Sequence, residues 1–389
     1  YGQVGNANLG GRRFAYLSTI TDDYDTLNMY KWGLDSSYGL TGMAEGEFAV
    51  QDLTWEIVNK MNLGVELGFL NGMIDLQLDY FDERRKDIFM PRESVPMTAG
   101  FMKQPWKNFG KVTNQGVEVS LNVNKQFGKD LFVSLMGTFT YAHNEITEKD
   151  EPSAVVGTNR AETGHPVGQL TGYIAEGLFT ADDFEDVSTG KLKEGIPTQS
   201  FVGKLRPGDI RYRDVNGDGK VDVFDKSPIG GTKDPEIVYG FGLNMKYKNL
   251  DFGALFQGIL GSSIIPGANR GVTGNMFTNA NDRWTVDNPS QNVFYPRLDD
   301  GINSNNNQPS TWWLRNMSFL RLKNIELGYS LPKNLWRNTT VISGIRLFVR
   351  GTNLLTFSKF DLWDPEVENT TGAAYPIMKS LSAGFEIKF

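Results

Sequence analysis

Leu63-Gly64-Val65-Glu66-Leu67-Gly68-Phe69-Leu70-Asn71-Gly72-Met73-Ile74-Asp75-Leu76-Gln77-Leu78-Asp79-Tyr80 is the stretch from which the fold can be read. Leu63, Val65, Leu67 and Phe69 alternate with Gly64, Glu66 and Gly68. Successive side chains of a strand point to opposite faces, so these two sets occupy opposite sides of one strand. Asn71-Gly72 is the strongest short hairpin signal, because the favoured turn needs positive φ at both central residues. Beyond it Ile74, Leu76, Leu78 and Tyr80 alternate with Asp75, Gln77 and Asp79. One face of the hairpin is apolar throughout, and the other carries acids and amides. Hydrocarbon on one side and water on the other demand that pattern.

The same period returns along the chain. Val117, Val119, Leu121 and Val123 oppose Glu118, Ser120, Asn122 and Asn124, and after a turn through 125–130 come Leu131, Val133, Leu135, Gly137, Phe139 and Tyr141. Phe241, Leu243, Met245 and Tyr247 lead through Lys248-Asn249 to Leu250, Phe252, Ala254 and Phe256. Ile325, Leu327 and Tyr329 precede a turn at Leu331-Pro332, and Ile345, Leu347 and Val349 oppose Arg346, Phe348 and Arg350. The last strand sets Leu381, Ala383, Phe385, Ile387 and Phe389 on one face. Chain ends usually fray; a barrel gives its final strand a neighbour and abolishes the edge.

Connections alternate in length. Short ones lie near 71–72, 125–130 and 248–249, and long ones span approximately 82–111, 180–236 and 261–317. The long ones are polar and include Ser304-Asn305-Asn306-Asn307, read as exposed loop. Compact soluble domains rarely carry structureless connections of that length, whereas outer-membrane barrels have short turns at one rim and long loops at the other. The expected fold class is all-β: residues 1–389 form an antiparallel transmembrane β-barrel portion of about ten strands with long extracellular loops. A soluble β-sandwich, or a stack of small β-domains, is the competing architecture.

Composition agrees. Hydrophobic residues make up 39% of the 389 and charged residues 22%, the balance expected when only alternate strand residues face lipid. No run of about 20 apolar residues could form a spanning helix. With no cysteine, disulfides, thiolate catalysis and cysteine metal sites are excluded. A net charge of -7 and the lack of any basic run argue against nucleic acid as a partner. The chain opens at Tyr1-Gly2-Gln3-Val4-Gly5-Asn6, which reads as the tail of a strand entering a turn.

Candidate sites are few. The stretch from Asp214 to Asp225 places Asp214, Asn216, Asp218, Asp222 and Asp225 at the oxygen-ligand positions of a calcium loop, with the Lys220 carbonyl among them and Gly219 at the sharp turn. Asp225 stands where a longer Glu is usual, and the flanks are extended rather than helical. The expectation is a structural Ca2+; the competing reading is an Asp/Asn/Gly turn that caps its own backbone. Trp312, Trp313 and Trp363 are candidate substrate-binding residues, since indoles stack on sugar rings, against the plainer reading of loop packing. His143 and His165 have no metal-ligand spacing, and no nucleophile elbow, phosphate loop or dinucleotide fingerprint occurs. Asp75 and Asp79 lie roughly 13 Å apart along one strand, too far for a glycosidase pair. No organic cofactor and no enzyme chemistry are expected.

Several stretches carry a family resemblance. They are Gly5-Asn6-Ala7-Asn8-Leu9-Gly10, Asp52-Leu53-Thr54-Trp55-Glu56, the Asn62–Tyr80 hairpin with Phe81-Asp82, Thr113-Asn114-Gln115-Gly116-Val117-Glu118, and Leu205-Arg206-Pro207-Gly208-Asp209-Ile210. The acidic loop runs on into Ile229-Gly230. Ser318-Phe319-Leu320-Arg321-Leu322-Lys323-Asn324-Ile325-Glu326-Leu327-Gly328-Tyr329 and the terminal strand complete the set. In this order they resemble the C-terminal part of the barrel in TonB-dependent outer-membrane receptors of the SusC/RagA type. The resemblance implies slightly under half of a 22-stranded barrel, with the plug domain and remaining strands lying outside this sequence. It implies import of oligosaccharides or peptides across the cell outer membrane. The implied partners are a SusD-type surface lipoprotein acting as lid, the TonB complex reached through the N-terminal region, and outer-membrane lipid. The alternatives are a soluble or surface-exposed β-rich carbohydrate-binding or adhesion module, a glycan-degrading enzyme and a passive porin.

Overall fold

The computed structural model describes residues 1–389 except 8, 10–11, 22–29, 36–37, 41–42, 102, 268–270, 273–274, 300–302, 337–340 and 368–369. Ten strands form one sheet in chain order: β1 (Gly2–Asn6), β2 (Glu56–Phe69), β3 (Ile74–Pro91), β4 (Trp106–Phe127), β5 (Leu131–Glu148), β6 (Ile237–Tyr247), β7 (Leu250–Leu260), β8 (Phe319–Ser330), β9 (Gly344–Ser358) and β10 (Ser380–Lys388). The expected antiparallel sheet and its strand number are both present. Asn8 and Gly10 of the first family stretch lie outside the described residues.

By its internal packing the chain divides into two units. One comprises residues 1–63, 81–115 and 143–167, the other 64–80, 116–142 and 168–389. In the larger unit, register keeps the apolar rows together. Leu135 faces Leu243, which faces Ala254, which faces Ile325, which faces Gly351. One row over, Val133, Met245, Phe252, Leu327, Val349 and Ala383 pair in succession. A slip of one residue would turn a whole row to the opposite side, so a consistent row across six strands marks one continuous apolar face. Among the described residues no second sheet covers it: Leu327 is 54% exposed, Leu347 46% and Phe385 70%. Phe241 and Phe256 stack at 5.0 Å on this face.

The opposite face of the same strands is polar. Arg346 of β9 donates from Nε to Asp251 of β7 at 3.0 Å and from Nη2 to Glu326 of β8 at 2.5 Å, and Arg350 pairs with the other oxygen of Glu326. Two bulges, at Leu255/Phe256 and Leu322/Asn324, adjust the register of β8 against its neighbours.

The smaller unit explains where the expected boundaries differ. The loop placed at 82–111 is only 92–105, because β3 and β4 run on for 18 and 22 residues. A spanning strand needs about 9–11. Beyond Tyr80 the sequence turns to Asp82, Glu83, Arg84, Arg85, Lys86 and Asp87. Lys60 pairs with Glu83 at 2.7 Å, Arg84 with Asp82 at 3.1 Å, Arg85 with Glu56 and Lys111 with Glu148. The ladder needs only backbone, so the strands continue in water after the apolar alternation stops. Exposed pairs of this kind contribute at most about 1 kcal/mol each; their composition marks these segments as wet. Arg92 and Ser94 both hold Asp150, Arg92 at 2.7 Å and Ser94 at 2.8 Å. Burial opposes the Asp150 charge, but these two partners more than offset it and its pKa is lowered.

Other boundaries move less. The connection expected at 180–236 begins at 149, and the one expected at 261–317 extends to 318. The Asn71-Gly72 turn is wider than two residues: Leu70, Asn71 and Gly72 all have positive φ, and Met73 donates to the Phe69 carbonyl at 3.1 Å. Asn and Gly are the residues that adopt this conformation at least cost.

The two-faced sheet makes a direct prediction. Leu243→Arg, in the middle of β6, is expected to cost about 2–4 kcal/mol in a bilayer. Asn244→Arg, one residue on and facing the other way, should cost much less. Urea unfolding of the full-length receptor from lipid vesicles measures both, and equal losses would sink the assignment of faces.

Candidate functional site

The described residues of 168–236 and 261–318 are folded together within the larger unit, where they share a core of Tyr173, Leu178, Ile210, Tyr212, Trp284 and Trp313, all 8% exposed or less. At its centre the fully buried Asp209 carboxylate accepts from the Arg206 backbone N–H at 2.9 Å, Arg297 Nε at 3.1 Å, Asn303 Nδ2 at 2.9 Å and Asn306 Nδ2 at 3.0 Å. A buried carboxylate is tolerated only when paired and hydrogen-bonded in this way. Burial works against the Arg297 charge, yet Asp209 and Asp299 more than compensate and its pKa is raised. Gly208, at φ 87°, lets the backbone press onto the Trp284 ring, where a Cβ would collide.

Of the stretch Ser304–Asn307, expected to be exposed, Ser304 and Asn307 are exposed, and the expectation is corrected for the two residues between them. Asn305 is fully buried and Asn306 is 3% exposed. The Asn305 amide donates to the Ile210 carbonyl at 2.9 Å, and the Asn306 side-chain oxygen accepts from the Ile210 N–H at 2.8 Å. Gln199 completes the set, accepting from the Tyr212 N–H at 2.6 Å and donating to the Ile210 carbonyl at 2.9 Å. These amides serve backbone groups that have no ladder partner, which is why polar residues sit inside.

The three candidate tryptophans have different fates. Trp313 is fully buried, and its indole N–H donates to the Asn306 carbonyl at 2.9 Å. Trp312 is half-buried against the same core and donates to the Phe294 carbonyl at 3.0 Å. The Trp313 ring is wholly enclosed by packing within the loops, the plainer of the two sequence readings, while Trp312 stays partly exposed. Trp363 is different. It lines a cavity of about 500 Å³ together with Phe277, Asn279, Asp282, Asp361 and Thr370.

Sequence reasoning missed what holds Trp363 in place. Arg321, 1% exposed, pairs with Asp364 at 2.5 Å and Glu366 at 3.0 Å, and Lys323 also reaches Glu366. Arg321 and Lys323 lie in the Ser318–Tyr329 stretch, so its family likeness was the available signal. Phe360 meets the Trp363 ring edge-on at 5.0 Å, and Gly372, at φ 70°, lies so close that an added Cβ would sit 2.9 Å from the ring. The Trp363 indole N–H is buried and has no acceptor among the described residues.

The acidic loop closes on its own backbone. Asp214 accepts from Gly217 N–H at 2.7 Å and Gly219 N–H at 2.8 Å, Asn216 from Asp218 N–H at 2.9 Å, and Asp218 from Lys220 N–H at 3.0 Å. Asp222 accepts from Phe224 N–H at 2.9 Å, and the buried Asp225 accepts from Val215 N–H at 2.7 Å and Asp222 N–H at 2.8 Å. Among the described residues no group of three or more His, Cys, Asp or Glu side chains is placed to hold a metal ion. The loop's hydrogen bonds are those of linked Asx turns, and Asn and backbone carbonyl oxygens also serve calcium. Burial first, then the charges of Asp225 and Asp222, push the neighbouring Tyr173 phenol up to about 12.

Comparison with known proteins places these features. The family described as TonB dependent receptor-like, beta-barrel matches residues 15–354. The TonB-dependent receptor SusC of Bacteroides thetaiotaomicron is 27% identical over 413 residues, covering 100% of this chain and 37% of that protein. TonB-dependent receptor P26 of Formosa agariphila is 27% identical over 415 residues, covering 100% of this chain and 39% of its own length. Among solved structures, the RagAB peptide importer in its closed-closed state is similar over 100% of this chain and 40% of that one, with 25% identity and a TM-score of 0.67. The chain therefore spans about two-fifths of the length of the relatives it matches. An uncovered apolar face, a polar opposite face, folded loops at one rim and a family match over most of the sequence agree: this chain is β-barrel from an outer-membrane protein and belongs to the TonB-dependent receptors, of the SusC/RagA type.

Proposed function

We propose that this chain, as part of a complete receptor, serves the active import of an oligosaccharide or peptide across the outer membrane. Energy would come from the proton-motive force through TonB, and a SusD-type lipoprotein would close over the outer loops. The observation that supports this reading best is the sheet itself, with its apolar face bare for lipid and its charged face turned to a wet interior. A soluble or surface-exposed carbohydrate-binding module is the weaker reading, since it would leave the same apolar face in water, where contiguous patches of that size promote association.

Uptake of a labelled ligand by cells carrying the full-length receptor separates import from passive leakage. Deleting TonB or adding a protonophore is expected to reduce uptake to background. Uptake that continues in uncoupled cells would mark a passive pore instead.

Calcium remains a proposal for residues Asp214, Asn216, Asp218, Lys220, Asp222 and Asp225. Each carboxylate oxygen offers two lone pairs, so an ion would have to share oxygens that backbone N–H groups already use. If one does, CaCl2 added to EGTA-treated full-length receptor should protect the segment 214–225 from proteolysis. Identical cleavage with and without calcium assigns the loop to its hydrogen bonds alone.

A further inference from the structure

We propose that the apolar groove over Gly137 binds one acyl chain of an outer-leaflet lipid, and holds it more tightly than the rest of the apolar face holds its lipid. Such a site follows from the outer-membrane placement alone and does not depend on the imported cargo.

The groove, of about 460 Å³, lies on the lipid-facing side of the sheet. Its floor is Gly137 of β5, and its walls are Val119 and Leu121 of β4, Phe139 of β5, and Tyr239 and Phe241 of β6. All belong to the alternating rows that meet hydrocarbon, so the groove continues the lipid-contacting surface. No charged side chain lines it among the described residues.

One missing side chain opens it. A Cβ built at Gly137 meets nothing within 4 Å, although Phe241 is its direct partner in the ladder. Phe241 instead stacks on Phe256 of β7 at 5.0 Å, with the two rings 15° from parallel. Tyr239 covers Gly258 of β7 so closely that a Cβ there would lie 2.5 Å from its ring. Both aromatic rings of β6 are thus engaged on its β7 side, and the β5 side stays open. Glycine weakens a strand interior, and it often marks a place where a ligand approaches closely.

The dimensions select the occupant. The backbones of β4 and β6 stand two sheet spacings apart, about 9–10 Å, and their side chains narrow the gap further. A helix is about 10–12 Å across with its side chains and does not enter; a polymethylene chain has no side groups and does. Along β6 the groove follows Phe241 to Ile237, roughly 13 Å of strand, close to the ~15 Å of one leaflet of hydrocarbon. Ile237 begins β6 directly after the connection 149–236, so the groove opens at the rim that carries the long loops.

Lipid tails are as apolar as the wall, so the hydrophobic effect does not choose where a tail lies. Packing does. An unfilled groove loses the dispersion contacts of its lining. A tail lying in it touches a floor and two walls, whereas a tail on the flat rows touches one side.

For the test, the purified full-length receptor is placed in phosphatidylethanolamine vesicles. These contain a phosphatidylethanolamine with a diazirine in one palmitoyl chain, either near the headgroup or near the tail end. After irradiation, cross-links are located by peptide mass spectrometry. They are expected to concentrate on 117–123, 135–141 and 237–241, above the equally apolar rows at 345–349 and 381–387. The headgroup-proximal probe should mark the Ile237 end and the tail-end probe the Phe241 end. Gly137→Leu, which fills the groove, should lower this labelling about fivefold, since about ten carbon contacts are lost. Gly137→Ala should lower it less, and Ala383→Leu, on the same face but remote, should leave it unchanged. Heat-modifiable migration shows that each variant is folded.

Even labelling of all apolar rows, a reversed order of the two probes, or labelling indifferent to Gly137→Leu overturns the proposal. So does a change from oligomer to monomer on Gly137→Leu in native mass spectrometry, which assigns the groove to a second copy of the receptor.

Discussion

In hydrocarbon every backbone N–H and C=O must find a partner within the protein, because no water is present to supply one. That constraint organises this chain. It forces the strands into one hydrogen-bonded ladder, and it leaves the side chains, not the backbone, to distinguish lipid from water. Register then becomes decisive. The pairing of Leu135, Leu243, Ala254 and Ile325 across successive strands keeps these apolar residues side by side on one face. The cluster of Arg346, Arg350, Asp251 and Glu326 is the same rule seen from the opposite face, since two cations and two carboxylates there neutralise one another.

The long connections obey a different economy. They stand in water and have no continuous ladder, so their carbonyls and amides are satisfied by side chains. Asp209, Asn305, Asn306 and Gln199 do this from inside the loop core, and aromatic rings fill the space around them. Trp363 packs outside that core, against the small cluster of Ile264, Met317 and Phe360.

Lipid imposes a strict alternation, and for that reason the membrane strands were the most legible part of the sequence. Leu63–Phe69, Phe241–Tyr247 and Leu381–Phe389 could be assigned to strands and faces from residue types alone. Where the strands leave lipid the signal disappears: Asp82–Asp87 has no apolar row, so the extension of β3 read as loop although its ladder continues. The loop core was illegible for the converse reason. Asn305 and Asn306 look like surface residues until their backbone partners are known, and those partners lie about a hundred residues away at Ile210. Trp313 and Trp363 are chemically identical; only long-range packing makes one of them core and the other a cavity wall. The oxygen spacing from Asp214 to Asp225 likewise serves a metal or a set of turns equally well.

Three glycines on the polar face of the sheet set the depth of that wall. A Cβ at Gly328 would collide with the Arg346 guanidinium and the Asp251 carboxylate, one at Gly384 with the Phe348 ring, and one at Gly242 with the Met136 side chain. Each large side chain therefore lies down across a neighbouring strand instead of standing upright. The polar face stays low wherever a long residue can fold flat into the space a missing methyl leaves. Its relief is consequently governed by its smallest residues, and enlarging one would raise its neighbour from the sheet like a peg.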